Sequence, residues 1–318
     1  MFEPIPADIA GALDGAAARL GGFQRLRFRA ETDSTNVVAL ALALAGEPHG
    51  TSVLADVQHA GRGRRGHDWF SPAGAGLYLS IIVRPAAAPG GTPLVTLAAG
   101  VAVAQAVRVV SALPVELKWP NDLVIGRPWR KLGGLLCEAV GAGPRLDAVV
   151  VGVGLNLRQA AYPRDVALRA TSIEVELGRP IDRAPLVVEV LAAIRTMMEV
   201  LDRGDRETVC AEWRRLGEAG LSGSPVRWRD QDVERRGRAR GIDADGARST
   251  RDACPPPEPP RPWPHPPPPR PCPGFRRRAA TPYRPHARRP CRTRREAGGS
   301  RDPRGGARPS DSRHDTRC

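Results

Sequence analysis

Residues 131–156 read KLGGLLCEAVGAGPRLDAVVVGVGLN. Two apolar runs, Leu132 to Val140 and Ala148 to Leu157, flank the turn-forming Gly141-Ala142-Gly143-Pro144, so the pattern predicts two strands closed as a hairpin. Upstream, Val115 to Trp119 and Leu123 to Ile125 read as a strand pair around Pro120-Asn121-Asp122. Before them lie an apolar Ala/Val-rich helix at Leu94 to Ser111 and strands at Leu77 to Val83 and Thr51 to Gln58. Ser34 stands as the N-cap of a helix whose Val37, Val38, Leu40, Ala41 and Leu44 fall at helical spacing up to Gly46. Leu26 to Ala30 alternates like a short strand, and residues 8–20 form an Ala-rich amphipathic helix. Downstream come helices over residues 184–202 and 205–216. This order lacks the βαβ rhythm of a parallel sheet. It predicts an α/β (α+β) fold with a mixed, largely antiparallel sheet and helices on one side. Val226 to Arg229 and Arg238 to Ile242, with a turn at Asp245-Gly246, look like a small β-barrel that stops after two or three strands. The expected organisation is a leader helix (1–22), a main domain (23–220), a partial barrel (221–247) and a tail (248–318).

The formal net charge of +14 suggests a nucleic-acid or membrane-surface binder until it is located. From Arg248 to Cys318 there are 18 Arg and no Lys against 6 acidic residues, which leaves 30 basic against 28 acidic residues in 1–247. The tail also holds 18 of the 33 prolines and no Val, Leu, Ile or Met, so it has little to bury and is expected to be disordered. A Pro/Arg-rich segment could bind RNA or an SH3-type partner. The abrupt change near Ala247 favours a reading-frame shift in a GC-rich gene instead. The six cysteines show neither a disulfide framework nor metal-ligand spacing. No basic-then-apolar leader opens the chain, and no apolar run reaches about 18 residues, the length of a membrane span. The chain reads as cytoplasmic, with no membrane partner.

Four runs carry chemistry. In Gly61-Arg62-Gly63-Arg64-Arg65-Gly66, the glycines let backbone N–H groups turn toward an anion while the arginines supply charge and forked donors. It is neither a Walker loop nor a dinucleotide fingerprint. By itself it leaves open a mobile basic loop or an RGG-like RNA contact. In Lys118-Trp119-Pro120-Asn121-Asp122, Lys and Asp at one sheet edge could face a phosphate and its metal ion; the alternative is a strand end with an ordinary ion pair. Lys131-Leu132-Gly133-Gly134 places paired glycines where a ligand could approach the backbone closely. Gly152-Val153-Gly154-Leu155-Asn156 ends a buried strand on an amide that could bond a ligand, though core-strand glycines also serve packing alone. The chain has 46 arginines and only two lysines, Lys118 and Lys131. Those two positions therefore suggest a need for a compact ammonium where a planar guanidinium would not fit. No His-Glu-x-x-His or Gly-x-Ser-x-Gly appears, and Cys137, inside a strand, reads as an inert core thiol.

Taken in order, Ser34-Thr35-Asn36, Gln58, the glycine–arginine loop and the three later runs resemble the bacterial biotin–protein ligases, from about residue 25 to 247. The resemblance implies a catalytic domain like that of class II aminoacyl-tRNA synthetases, followed by an SH3-like barrel that here is truncated. It implies that Ser34, Thr35, Asn36, Gln58, Gly61, Arg62, Gly63, Gly133 and Gly134 hold biotin. Arg64 would retain the adenylate, and Lys131 would bind the biotin carboxylate and stabilise charge. Arg64, Arg65, Lys118, Trp119, Asn121, Asp122 and Asn156 would serve ATP, with Asp122 near Mg²⁺. Arg64, Lys118 and Lys131 are the expected catalytic set. The implied reaction forms biotinyl-5'-adenylate and passes the acyl group to a lysine of the biotin carboxyl carrier protein of acetyl-CoA carboxylase or a related biotin-dependent carboxylase. The loop Gly61 to Asp68 is expected to be mobile when empty and to order on ligand.

This sequence departs from the family pattern in three ways. His67 follows Gly66 where many relatives carry Arg. Only about 22 residues precede the catalytic pattern, so no operator-DNA binding is expected. The barrel is cut at Ala247, which puts full activity in doubt. A lipoate–protein ligase shares the fold and the reaction logic, and an RNA-binding protein acting through the basic tail is the reading from another class. The sequence leaves a monomer and a homodimer equally open.

Overall fold

The computed structural model describes residues 1–86, 91–141, 146–160, 162–217, 221, 223–230 and 233–252. The elements are α1 (Ala7–Gly15), α2 (Ala17–Leu20), β1 (Leu26–Thr32), α3 (Thr35–Leu44), β2 (Ser52–Gln58), β3 (Gly76–Val83), α4 (Gly91–Ser111), β4 (Glu116–Lys118), β5 (Asp122–Ile125), β6 (Arg130–Val140), β7 (Ala148–Asn156), α5 (Arg164–Ala167), α6 (Ile173–Leu177), α7 (Arg183–Asp202), α8 (Arg206–Leu216), β8 (Pro225–Asp230), β9 (Val233–Ile242) and β10 (Arg248–Asp252). Seven strands make one sheet in the order β1-β2-β3-β7-β6-β5-β4. Only β1 and β2 run parallel; every other pairing is antiparallel. The β6–β7 hairpin is in register from Gly133↔Leu155 to Val140↔Ala148. Residues 142–145 of its turn lie outside the described residues.

Side chains alternate across a strand, so each face of the sheet buries its own set. On one face Leu54, Leu79, Ile81, Val149, Val151, Val153 and Leu155 pack with α4 and α7, and Trp213 of α8 is fully buried there. Ile9, Leu13 and Leu20 of α1 and α2 join this cluster. Helix α4 has a mean hydropathy of 1.8 over 18 residues, enough to span a membrane by length and composition. Thr96, Gln105 and Arg108 interrupt its apolar run. Of that window, 72% is buried, as in the central helix of a packed core.

The helices do not all lie on one side, contrary to expectation. Helix α3 covers the opposite face, setting Ala39 and Ala43 on Val53, Ile82, Val140 and Val150. Its small buried residues let it lie close to the sheet, with its N-terminus over the strand centres. The Ser34 side chain makes no capping hydrogen bond. Instead the Gln58 amide oxygen, reaching from the end of β2, accepts from the Thr35 backbone N–H at 2.9 Å. An orphan donor at the helix start is thus satisfied from across the fold.

Strands β8–β10 form a separate antiparallel sheet, ordered β10-β9-β8. The third strand lies beyond Ala247, where the sequence reading ended the ordered chain. Trp119 joins this sheet to the main one by donating its indole N–H to the Gly246 carbonyl at 3.2 Å, with Arg248 stacked 4.6 Å from its ring. The tail from residue 253 onward lies outside the described residues.

Candidate functional site

The α3 face of the sheet holds a polar island in an apolar surface. Asn36, 4% exposed, lies over Gly152, where a side chain would collide with its amide. Its Nδ2 donates to the Leu136 carbonyl (3.2 Å) and to Glu138 Oε2 (2.8 Å), and its Oδ1 accepts from Ser80 Oγ (2.6 Å). The Asn36 amide is therefore committed inside the protein, and it reaches any ligand only through these partners. Ser80 also stands 2.8 Å from Thr35 Oγ1, which donates to Gln58 Oε1 at 3.0 Å. Gln58 Nε2 in turn donates to Ser71 Oγ at 2.9 Å. Thr35, Asn36 and Gln58 thus share one connected floor, and the buried Ser34 precedes it in the chain without a side-chain bond to it. Ser71 and Ser80 complete it and were not foreseen.

Above the floor runs the glycine–arginine loop. It closes on itself: Gly63 N donates to the His67 carbonyl at 2.7 Å, Arg62 bridges Asp68, and Trp69 N donates to the Gly61 carbonyl at 2.8 Å. Arg65 and Gly66 both take left-handed backbone angles, φ 58° and 75°, which turn the tip back. Arg62 pairs with Glu138 at 2.9 Å, and Arg64 Nη1 reaches Asn121 Oδ1 at 3.2 Å. Arg65 is exposed at the tip. Trp69, after the loop, lies in the slot left by Gly134 and Gly154 on neighbouring strands; a Cβ at Gly154 would be 2.6 Å from its Nε1. That indole N–H is buried and has no partner among the described residues. A buried orphan donor in the wall of a slot suits a ligand acceptor. Trp69 is a residue that the sequence reading missed. Its signal was indirect: two facing glycines leave a gap that only a large side chain or a ligand can fill.

Lys131 reaches this face through an irregularity. Lys131 and Gly134 are an odd number apart, so a regular strand would point them to opposite faces. The β5–β6 register slips between Leu123 and Val124, leaving Leu132 as an extra residue, and the bulge turns Lys131 toward Gly134. Its Nζ lies 3.4 Å from where a Gly134 Cβ would stand, 2.7 Å from Asp122 Oδ1 and 5.3 Å from the centre of the Trp69 ring. The Lys131 backbone is held on its outer side by segment 169–171. Its N–H donates to the Arg169 carbonyl (2.6 Å), and its carbonyl accepts from Thr171 N (2.9 Å). Asn156, 7% exposed, ties that segment down by donating to the carbonyls of Thr171 (2.9 Å) and Lys131 (3.4 Å). The structure therefore sets Asn156 behind Lys131, engaged with backbone.

Arg64 and Lys131 converge on adjacent residues of one turn, Asn121 and Asp122. The Asn121 amide is fixed by donating to the Leu135 carbonyl at 2.8 Å. Lys118 is opposite Asp122 in the β4–β5 ladder, exposed and without an ion-pair partner among the described residues. Trp119 stands apart from this group, at the junction with the small sheet. Among the described residues no cluster of three His, Cys, Asp or Glu could hold a metal ion. Asp122 offers a single carboxylate, which suits an Mg²⁺ that arrives on a nucleotide and keeps phosphate and water as its other ligands. Burial pushes the Cys137 thiol up to about 11, consistent with an unreactive core thiol.

Residues 29–156 match the Biotin/lipoate A/B protein ligase family. Over 231 residues the chain is 33% identical to the bifunctional ligase/repressor BirA of Salmonella typhimurium, covering 70% of this chain and 71% of that one. The biotin–[acetyl-CoA-carboxylase] ligase of Paracoccus denitrificans is 34% identical over 225 residues, 69% of this chain and 90% of the relative. A solved biotin protein ligase of Aquifex aeolicus, in complex with biotin and ATP, superposes with a TM-score of 0.61 at 27% identity, over 70% of this chain and 90% of that one. With a relative 34% identical and matched over nine-tenths of its length, this chain belongs to the biotin protein ligases of the biotin/lipoate A/B protein ligase family.

Proposed function

We propose that the chain activates biotin with Mg·ATP and transfers the biotinyl group to a lysine of the biotin carboxyl carrier protein of acetyl-CoA carboxylase or a related carboxylase. The convergence of Arg64 and Lys131 on the Asn121–Asp122 turn, beside the slot between Gly134 and Gly154, carries this reading. Thr35, Gln58 and Ser34, with the Gly61–Gly63 backbone, hold the polar ureido end of biotin. Its carboxylate lies near Lys131, along the open backbone of Gly133 and Gly134. Arg64, Arg65 and Lys118 face the phosphates, Asn121 and Asp122 serve the nucleotide and its Mg²⁺, and Asn156 acts by fixing Lys131. The carboxylate attacks the α-phosphorus, and the bond to the bridging oxygen breaks as pyrophosphate leaves. A carrier lysine, as the free amine, then attacks the acyl carbon of the anhydride; the amide forms, AMP leaves, and the amine proton passes to water. Charge grows on oxygens that Lys131 and Arg64 can reach from fixed positions, where preorganised cations act most strongly. The cytoplasm, where ATP and carboxylases occur, is the proposed place of action.

Incubation with ATP, Mg²⁺, biotin and a carrier domain, followed by a streptavidin blot, should give one labelled band, that of the carrier. No label, with a carrier that a known ligase can modify, would reject the function. A thermal-shift comparison separates biotin from lipoate: stabilisation by lipoate alone would move the chain to the other branch. Arg64→Gly removes the contact to Asn121 and should let adenylate escape. The blot should then show label on bystander proteins; label confined to the carrier would refute the retention role. Deleting 253–318 removes none of the proposed site residues, so biotin binding should persist. Salt-sensitive RNA binding abolished by the same deletion would instead support a role for the tail.

A further inference from the structure

We propose that Glu138 is a positioning residue that latches the glycine–arginine loop over the acyl-substrate pocket through Arg62. Glu138 lies on β6 between Leu136 and Val140, on the face where Ala39, Val140 and Val150 pack. A carboxylate among apolar neighbours is costly unless both oxygens are engaged. Here each has one partner: Oε1 pairs with Arg62 at 2.9 Å, and Oε2 accepts from Asn36 at 2.8 Å. The two partners belong to the two halves of the pocket. Asn36 is part of the floor, bonded to Ser80 and through it to Thr35 and Gln58. Arg62 belongs to the loop, a strand bridge away from Asp68 and next to Gly61, whose carbonyl takes the Trp69 N–H. Glu138 therefore bonds the floor by a hydrogen bond and the loop by an ion pair. The Glu138 side chain is 21% exposed and that of Arg62 47%. The anchor is thus the more fixed partner, and the arginine is the one that can swing away when the pair is broken.

The role rests on the proposed reaction but has a readout that does not need it. Arg64 and Arg65 make the loop a trypsin substrate whenever it opens. Glu138→Gln keeps an oxygen for Asn36 but turns an amide donor toward Arg62. Loop cleavage in the full chain should then quicken roughly two- to fivefold, the size expected of a partly exposed ion pair. Arg62→Gln, which also removes the tryptic bond after residue 62, should do the same for cleavage after Arg64 and Arg65. The double variant should be no faster than either single one, because both break one link. In the active enzyme, Glu138→Gln should raise the biotin KM and release adenylate sooner, while transfer from saturating biotin stays near the parent rate. Cleavage of both single variants at the parent rate, or a double variant whose acceleration is the product of the two, would overturn the latch. A parent chain that forms no adenylate would overturn the proposed function alone, because proteolysis still reads the loop.

Discussion

Replacing Lys131 with Met is expected to slow adenylate formation by roughly 100- to 1000-fold, the usual consequence of removing one preorganised charge from a transition state. The side chain is 38% exposed, and its ammonium stands between the Asp122 carboxylate at 2.7 Å and the Trp69 ring at 5.3 Å. Its backbone is pinned by Arg169 and Thr171, so little of the position depends on the ammonium, and the variant should fold. Lys131→Arg retains the charge but should still lose most activity. The guanidinium is a planar fork, and the space it must enter is bounded by Trp69 and by backbone at Gly134, where a single carbon would already lie 3.4 Å from the ring. Pyrophosphate release with biotin and without carrier isolates this step. A Lys131→Arg enzyme with full activity would show that any cation serves, and the assigned role would fall. Asn156→Asp offers a milder check, since it keeps the size but removes the donors that hold the segment behind Lys131.

How far the sequence carried can be judged from these same residues. The hairpin was legible because glycine and proline punctuate two apolar runs, and the whole antiparallel sheet followed from it. The grouping of Ser34 to Asn36 with Gln58 was legible only through family order. No local rule says that a glutamine 23 positions beyond Thr35 will cap its helix in place of the adjacent serine. Lys131 was picked by its rarity, yet strand parity alone would have pointed it away from Gly134. The bulge at Leu132 depends on how β5 pairs with β6, which is a tertiary fact. Trp69, Ser80 and Glu138 were not found for the same reason. Each becomes meaningful only when a glycine, a serine or an arginine from a distant segment is brought opposite. The placement of α3 also escaped, since an apolar helix fits either face of a sheet and periodicity does not choose between them.

The two glycines of β7 make a contrasting pair of predictions. Both lie on the α3 face of one strand, two residues apart, and each would collide with a polar side chain on gaining a methyl group. At Gly152 the obstacle is the buried Asn36 amide, which is held from three sides. Gly152→Ala must break those bonds and leave buried donors and acceptors unpaired, at about 1–3 kcal/mol for each group. The melting temperature should fall by roughly 5–10 °C for a chain of this size, and biotin binding should be lost with it. At Gly154 the obstacle is the Trp69 indole, with Nε1 2.6 Å from the added carbon. That ring is only partly buried and belongs to a loop, so it can move aside at small cost to the fold. Gly154→Ala should therefore melt near the parent temperature yet bind biotin roughly 10- to 200-fold more weakly, the range for one methylene misplaced in a pocket. Calorimetric titration with biotin, run beside thermal unfolding, separates the cases. If Gly154→Ala binds as the parent does, Trp69 is not a wall of the pocket. If Gly152→Ala melts as the parent does, the Asn36 network is slack enough to yield, and the rigid floor on which the loop and Lys131 depend is not there.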